Sequence, residues 1–342
     1  MLKIGITGLG FMGMMHYLAY QKLEGVKVVA ICEKLTERLK GDWTKIKGNF
    51  GPQGTMMDLS GIATYTELSE MLANPEVDMV DICLPPSSHA AAVLAALDAG
   101  KHVLSEKPIS LKIAEANTMV AAAKRSGKSF QVAHVLPFFV SHGFVLDAVR
   151  SGRYGKLLGG HFNRVISDPT WLTNFYDMEA CGGPLLDLHI HDAHFIRLLF
   201  GMPKTVQSVG RLRNDVPEYF SSQFLYDDPS LVVTSISGAI GQQGRPFMHG
   251  YEVHFEKATL LHESFLGAPP TVLTADGKVE KPELPGYDEI QVFANELKEA
   301  TDAAKSGKAS EILDGVLARD ALGLALKQME AIKLRKPIPI GD

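Results

Sequence analysis

The chain has 342 residues, 46% hydrophobic and 21% charged, enough to bury a substantial core and, by length, to favour two domains over one. The formal net charge of −5, with lysines and arginines scattered rather than blocked, leaves no electrostatic footprint for nucleic acid. The three cysteines, Cys32, Cys83 and Cys181, lie too far apart for a zinc ribbon or a disulfide framework, and no stretch reaches the roughly 18 to 20 uninterrupted apolar residues of a membrane span.

The opening residues run straight into a strand pattern, without the charged n-region, apolar h-region and cleavage site of a secretory signal, so a cytoplasmic protein is expected. Short β-branched runs at residues 4–7, 26–31, 77–83, 102–105 and 129–133 alternate with alanine- and leucine-rich helical stretches. Continuous apolar strands alternating with helices predict an α/β fold with a doubly wound parallel sheet covered on both faces. Residues 34–61 carry little periodicity. After a helix near 140–150 the rhythm changes to long strand-like runs at 157–166, 205–213, 221–226, 231–237 and 252–255, which predict a large open, mostly antiparallel sheet with helices on one face. Helical segments at 290–306 and 310–332 close the chain, with Gly307 as a stop between them. The expected division is a dinucleotide-binding domain over 1–130 and an α+β substrate and oligomerisation domain over 131–342. Apolar alternation in the later strands fits a sheet face buried in a homodimer or homotetramer, or burial by the chain's own helices.

Directly after the first strand comes Gly8-Leu9-Gly10-Phe11-Met12-Gly13, followed by a helical run from His16 to Leu23. Glycines at this spacing permit a tight turn, bring backbone to a pyrophosphate and let helix pack closely on strand, which is the Rossmann fingerprint. Gly8, Gly10, Phe11, Met12 and Gly13 are therefore candidate cofactor contacts. Glu33, twenty residues after Gly13 at the end of the second strand, is placed to accept hydrogen bonds from ribose hydroxyls. Its carboxylate would repel a 2′-phosphate and favours NAD, while the neighbouring Lys34 leaves NADP possible. Pro85, Pro86 and Ser88 follow the strand at 77–83, where a cofactor cleft would open.

Lys107 follows the strand at 102–105 at its carboxyl end, where open α/β sheets place ligands, and its ammonium can hold the cofactor ribose and a reacting oxygen. Asp187 and His191 are four apart, so a helix starting near Pro184 presents them on one face a turn apart. An imidazole there is suited to take a proton from a hydroxyl, with Asp187 orienting the hydroxyl or the ring. His189, His191 and His194 with Asp192 contain metal-ligand types, but residues two apart on a helix diverge, and no metal is expected. His134 could face the substrate, the core or the surface. Trp171 could stack on a sugar or pack internally, and Arg164 could meet a polar substrate or lie exposed on the sheet.

The segments Leu84-Pro85-Pro86-Ser87-Ser88-His89, Gly100-Lys101-His102-Val103-Leu104-Ser105-Glu106-Lys107-Pro108 and Gly182-Gly183-Pro184-Leu185-Leu186-Asp187-Leu188-His189-Ile190-His191-Asp192 occur in this order. Together they resemble the glucose-fructose oxidoreductase, inositol dehydrogenase and rhizopine-catabolism (Gfo/Idh/MocA) family over nearly the whole chain. The resemblance implies catalytic Lys107, Asp187 and His191, and cofactor contacts from Leu84, Pro85, Pro86, Ser88, His89, Glu106 and Lys107. It also implies a cis Lys107–Pro108 bond, no metal, and hydride transfer between nicotinamide and a secondary hydroxyl of a sugar, sugar derivative or cyclic polyol. Where many relatives carry an arginine followed by phenylalanine or tyrosine, this chain has Leu136-Pro137-Phe138-Phe139, so a contact from that arginine does not carry over. Two alternatives stay open: a redox-neutral glycosidase or lyase that retains NAD, and a non-catalytic dinucleotide or sugar sensor.

Overall fold

The computed structural model describes residues 1–48, 50–264 and 269–341. They form two compact units, Met1–Phe138 with Tyr287–Arg319, and Phe139–Gly286 with Asp320–Asp342.

In the first unit the chain runs β1 (Leu2–Thr7), α1 (Phe11–Tyr20), β2 (Val26–Cys32), α2 (Thr36–Leu39), β3 (Ala63–Tyr65), α3 (Leu68–Ala73), β4 (Met79–Ile82), α4 (His89–Asp98), β5 (His102–Glu106), α5 (Ile113–Ser126) and β6 (Phe130–Ala133). The six strands are all parallel, in the order β3-β2-β1-β4-β5-β6. Ile4, Ile6, Met79, Val80, Ile82, Val103, Leu104 and Val132 are fully buried, which is why these strands read as continuous apolar runs. The order reverses between β1 and β4, the switch point at whose carboxyl end such sheets bind ligands. In the weakly periodic stretch after β2, Trp43 is the anchor. Its indole N–H donates to Arg38 O at 2.9 Å, and its ring meets Tyr17 edge-on at 5.0 Å.

The second unit continues with α6 (Val140–Ser151), β7 (Leu157–Ser167), α7 (His189–Phe200), β8 (Thr205–Arg213), β9 (Val216–Leu225), β10 (Val232–Ile240), β11 (Met248–Phe255), β12 (Ala258–Glu263), β13 (Thr271–Thr274) and β14 (Val279–Glu280). Then α8 (Glu289–Ser306) returns to the first unit, and α9 (Gly315–Leu334) and β15 (Ile338–Pro339) end the chain. The nine strands lie in the order β14-β13-β12-β11-β7-β10-β9-β8-β15, with only β7–β10 parallel among the described pairs.

Several predicted boundaries move: helix α1 spans Phe11–Tyr20 rather than His16 to Leu23, and β10 runs to Ile240 rather than 237. Strand β9 starts at Val216, not 221, because Asn214 and Asp215 adopt positive φ of 50° and 63° and close a two-residue hairpin that pairs Arg213 with Val216. Strand β11 starts at Met248 rather than 252, paired with β7 along its whole length. Helix α9 starts at Gly315 rather than 310, because the Ser310 hydroxyl accepts the Ile312 and Leu313 amides at 3.1 and 2.8 Å and holds that segment in a turn. Among the described residues no helix is long and apolar enough to cross a membrane.

Candidate functional site

The glycine loop is built by close approach. Gly8 has φ +88°, and a Cβ there would lie 2.6 Å from the Cys83 carbonyl oxygen; a Cβ on Gly13 would lie 2.0 Å from Gly8 O. At Gly10 a Cβ would meet nothing within 4 Å, so this side of the loop is open. No side chain caps α1 at Gly10, and its first turn carries no acidic residue, leaving the positive end of the helix to an anion. The cradle fits a dinucleotide pyrophosphate. Glu33 sits at the same loop: Oε2 accepts the Leu9 amide at 2.8 Å and Oε1 the Leu35 amide at 3.0 Å. Arg38, which the motif spacing did not single out, donates to Leu9 O at 2.9 Å and lies 3.5 Å from Glu33 Oε2.

Pro86–Ser88 forms one tight 3₁₀ turn after β4. The His89 ring is fully buried, with Nδ1 2.8 Å from Pro108 O and Nε2 2.8 Å from Leu84 O, so it ties the two candidate segments together through their backbones. Two carbonyl acceptors favour protonation, but burial is the larger influence and holds the His89 pKa below its ordinary value. The Lys107–Pro108 bond is cis, as the family resemblance implied. Lys107 is half-buried at the carboxyl end of β5, and its amide donates to Glu106 Oε2 at 3.0 Å. His134, just past β6, is 1% exposed.

In the second unit Gly182 and Gly183 have φ of +79° and +58°, and Cβ atoms there would meet Leu186 and Val216 at 2.6 to 2.7 Å. Instead of the α-helix expected from Pro184, Pro184–Leu188 forms a π-helical turn, and α7 begins only at His189. The wider turn changes the angular offset between Asp187 and His191; single π turns of this kind recur at functional sites. From Gly182 to Ile196 every residue is buried except Asp187 and His191.

The other residues of this segment are engaged internally. The His189 nitrogens face Ser237 Oγ at 2.8 Å and Gln328 Oε1 at 3.0 Å. Asp192 receives Arg164 Nε at 2.6 Å on Oδ2 and Nη2 at 3.0 Å on Oδ1. Arg164 is thus not the exposed sheet arginine expected by default: at 4% exposure it is buried, because a bidentate carboxylate compensates its charge. Trp171 is 62% exposed, on a loop that Asp168 anchors by accepting Tyr176 Oη at 2.9 Å and Arg213 Nη1 at 2.7 Å, with the guanidinium 4.1 Å over the Tyr176 ring.

A buried polar cluster beneath the glycine loop was not picked out from the sequence. His16 Nδ1 is 2.8 Å from Asp81 Oδ2 and 3.5 Å from Cys83 Sγ, and Nε2 is 3.2 Å from Glu106 Oε1. Its sequence signals were Asp81, a carboxylate inside an otherwise apolar strand, and Glu106, expected as a cofactor contact but 7% exposed and turned to His16 and the Lys107 amide. His16, Asp81 and Cys83 have the ligand types and spacing for a metal, the one such group among the described residues, although 2.8 Å is the length of a direct hydrogen bond.

Glu296 on α8 is fully buried beside this cluster. Burial pushes its carboxyl pKa well above the ordinary range, against the opposing charge of His16 and with Glu106 and Asp81 adding to the rise, which favours the neutral acid. With the folded pKa raised, its stabilising proton is fully present below the unfolded value and is lost as pH rises through the folded pKa. Stability should therefore fall with rising pH by at most about 1.4 kcal/mol per unit from this group. Glu296→Gln keeps the neutral shape, so its melting temperature relative to the wild-type protein should climb between pH 5 and 9. A constant offset in thermal melts would show that Glu296 does not ionise in this range.

A family model described as an oxidoreductase family with an NAD-binding Rossmann fold matches residues 2–134, and the model of that family's C-terminal domain matches residues 144–261. The 1,5-anhydro-D-fructose reductase of Ensifer adhaerens is 28% identical over 231 residues, 64% of this chain and 68% of the relative. The myo-inositol 2-dehydrogenase of Thermotoga maritima is 27% identical over 259 residues, 75% and 72% of the two chains. A levoglucosan dehydrogenase solved with NADH and levoglucosan has the same fold, with a TM-score of 0.84 at 18% identity and 100% of both chains covered. The two matched domains, in the order the motifs implied, place the chain in the Gfo/Idh/MocA oxidoreductase family, with an N-terminal NAD-binding Rossmann domain.

Proposed function

We propose that this protein interconverts a secondary hydroxyl and a ketone on a sugar, sugar derivative or cyclic polyol. The observation that carries the reading is the pair Asp187 and His191, the two accessible residues in a segment otherwise buried from Gly182 to Ile196. A packing segment has no need to hold a carboxylate and an imidazole at its surface while burying a histidine on either side. The relatives named for anhydrofructose and myo-inositol support the substrate class.

When bound, NAD supplies the two-electron acceptor. His191 takes the proton of the reacting hydroxyl, and Asp187 orients that hydroxyl or the ring. Lys107 holds the ribose of the cofactor and the substrate oxygen, favouring the charge that develops as the proton leaves. Gly8, Gly10, Phe11, Met12 and Gly13 present backbone to the pyrophosphate, while Leu84, Pro85, Pro86 and Ser88 line the nicotinamide side. Glu33 binds the adenosine ribose and favours NAD, with Arg38 the group that would accommodate a 2′-phosphate. Trp171 is assigned the apolar face of the sugar, with His134 a further substrate-side residue; Arg164, spent in its buried pair with Asp192, is not assigned to the substrate.

The exposed Val209, Leu225 and Val232 on the nine-stranded sheet support a homodimer or homotetramer through that sheet, which sedimentation would read directly. The function itself is tested by absorbance in the reduced-nicotinamide band, with NAD or NADP and a panel of inositols, aldoses, ketoses and sugar acids. A substrate-dependent rise is expected. Silence across the panel, with cofactor bound, would replace this reading by a redox-neutral enzyme or a sensor.

A further inference from the structure

We infer that His16 is a positioning residue for Lys107: bridging Asp81 and Glu106, it fixes the carboxylate on which the Lys107 amide rests, and so sets how β5 presents that lysine. The inference rests on the role proposed for Lys107. Its geometry is a continuous chain across three elements of the first unit. Asp81 on β4 meets His16 Nδ1 at 2.8 Å, His16 Nε2 on α1 meets Glu106 Oε1 at 3.2 Å, and Glu106 Oε2 at the end of β5 accepts the Lys107 N–H at 3.0 Å. His16 and Asp81 are fully buried and Glu106 is 7% exposed, so water does not compete for these contacts.

A neutral imidazole has one N–H and could serve only one of the two carboxylates; the other would face a ring lone pair. The Asp81 contact is a hydrogen bond, whereas Nε2 faces Glu106 Oε1 at ion-pair distance without hydrogen-bond geometry, so the imidazolium is the form that suits two flanking carboxylates. Burial is the largest single influence and opposes that charge, but Asp81 and Cys83 together outweigh it and raise the His16 pKa well above the ordinary value. Burial likewise opposes the charge of Glu106, and the hydrogen bond and charge of His16, followed by the charge of Lys107, hold its pKa down.

The other titratable groups packed around the ring are neutral. Burial first, then Asp81, pushes the Cys83 thiol and the Tyr20 hydroxyl up, and Glu296 from α8 is a neutral acid. His89, on the far side of Glu106, is shifted toward its neutral form by burial. His16 thus bridges the buried carboxyl groups of Asp81 and Glu106. Without it Glu106 loses the partner that holds its carboxylate beneath the Lys107 amide.

The test compares His16→Gln with the wild-type protein and with Met14→Ala, a buried variant of the same helix that removes no polar group and controls for loss of packing. In the protein without substrate, hydrogen exchange at the Lys107 amide should quicken roughly 10-fold in His16→Gln relative to Met14→Ala. Where turnover is measurable, kcat should fall roughly 10- to 100-fold with substrate KM little changed. The acid side of its pH profile should gain an ionisation, that of the unpaired Glu106, which the double variant His16→Gln/Glu106→Gln lacks. Unchanged Lys107 exchange would overturn the inference, as would a kcat loss that merely tracks melting temperature in both α1 variants. If His16→Gln does not fold, Asp81→Asn carries the same comparison. Full activity in Lys107→Ala would instead defeat the role proposed for Lys107, leaving amide exchange to decide the positioning by itself.

Discussion

Lys107→Ala should lower kcat by roughly 10²- to 10³-fold, the effect of deleting one donor to a developing oxyanion in a water-poor site. Lys107 is half-buried at the carboxyl end of β5, beside the switch point of a 3-2-1-4-5-6 sheet, and its amide is held by Glu106. Truncation at Cβ leaves that backbone contact in place, so the loss should appear with little change in melting temperature. Lys107→Arg should recover only part of the activity, because a planar fork cannot occupy the place of a compact ammonium. Steady-state kinetics with the substrate found in the panel supply the measurement. Turnover within about threefold of wild type in the alanine variant would remove Lys107 from the chemistry.

His191→Ala should cost roughly 10²- to 10⁴-fold in kcat, the range for loss of a positioned general base. The pH dependence is the sharper readout. A base that must be neutral to accept a proton gives oxidation rates that fall as pH is lowered, and the variant should lose that acid limb. An activity loss with the limb intact would assign the proton transfer to another group. Since His191 is partly exposed while Ile190 and Asp192 beside it are buried, the alanine variant should fold normally. Asp187→Asn separates the partner's role: it preserves size and hydrogen bonding while removing charge, and should lower kcat less than His191→Ala does.

What the sequence by itself determined is whatever depends on one element and its immediate turns. Runs buried on both faces, such as β4 and β5, announce a parallel sheet by composition alone. Gly8 and Gly13 announce the loop because no Cβ fits there, and the family motifs extend that reading to Lys107, Asp187 and His191. Short edge strands such as β14 and β15 escaped, since two residues carry no period. So did the hairpin at Asn214 and Asp215, where paired positive φ angles set the register rather than apolar alternation. The tertiary structure decided the state of the polar residues. Arg164 reads as a surface arginine until Asp192, 28 residues away, is found on its guanidinium, and His16 reads as one more helix residue until Asp81 and Glu106 converge on its ring. The physical reason is the same in both cases: a charge survives burial only through a partner, and partners distant in the chain leave no local pattern.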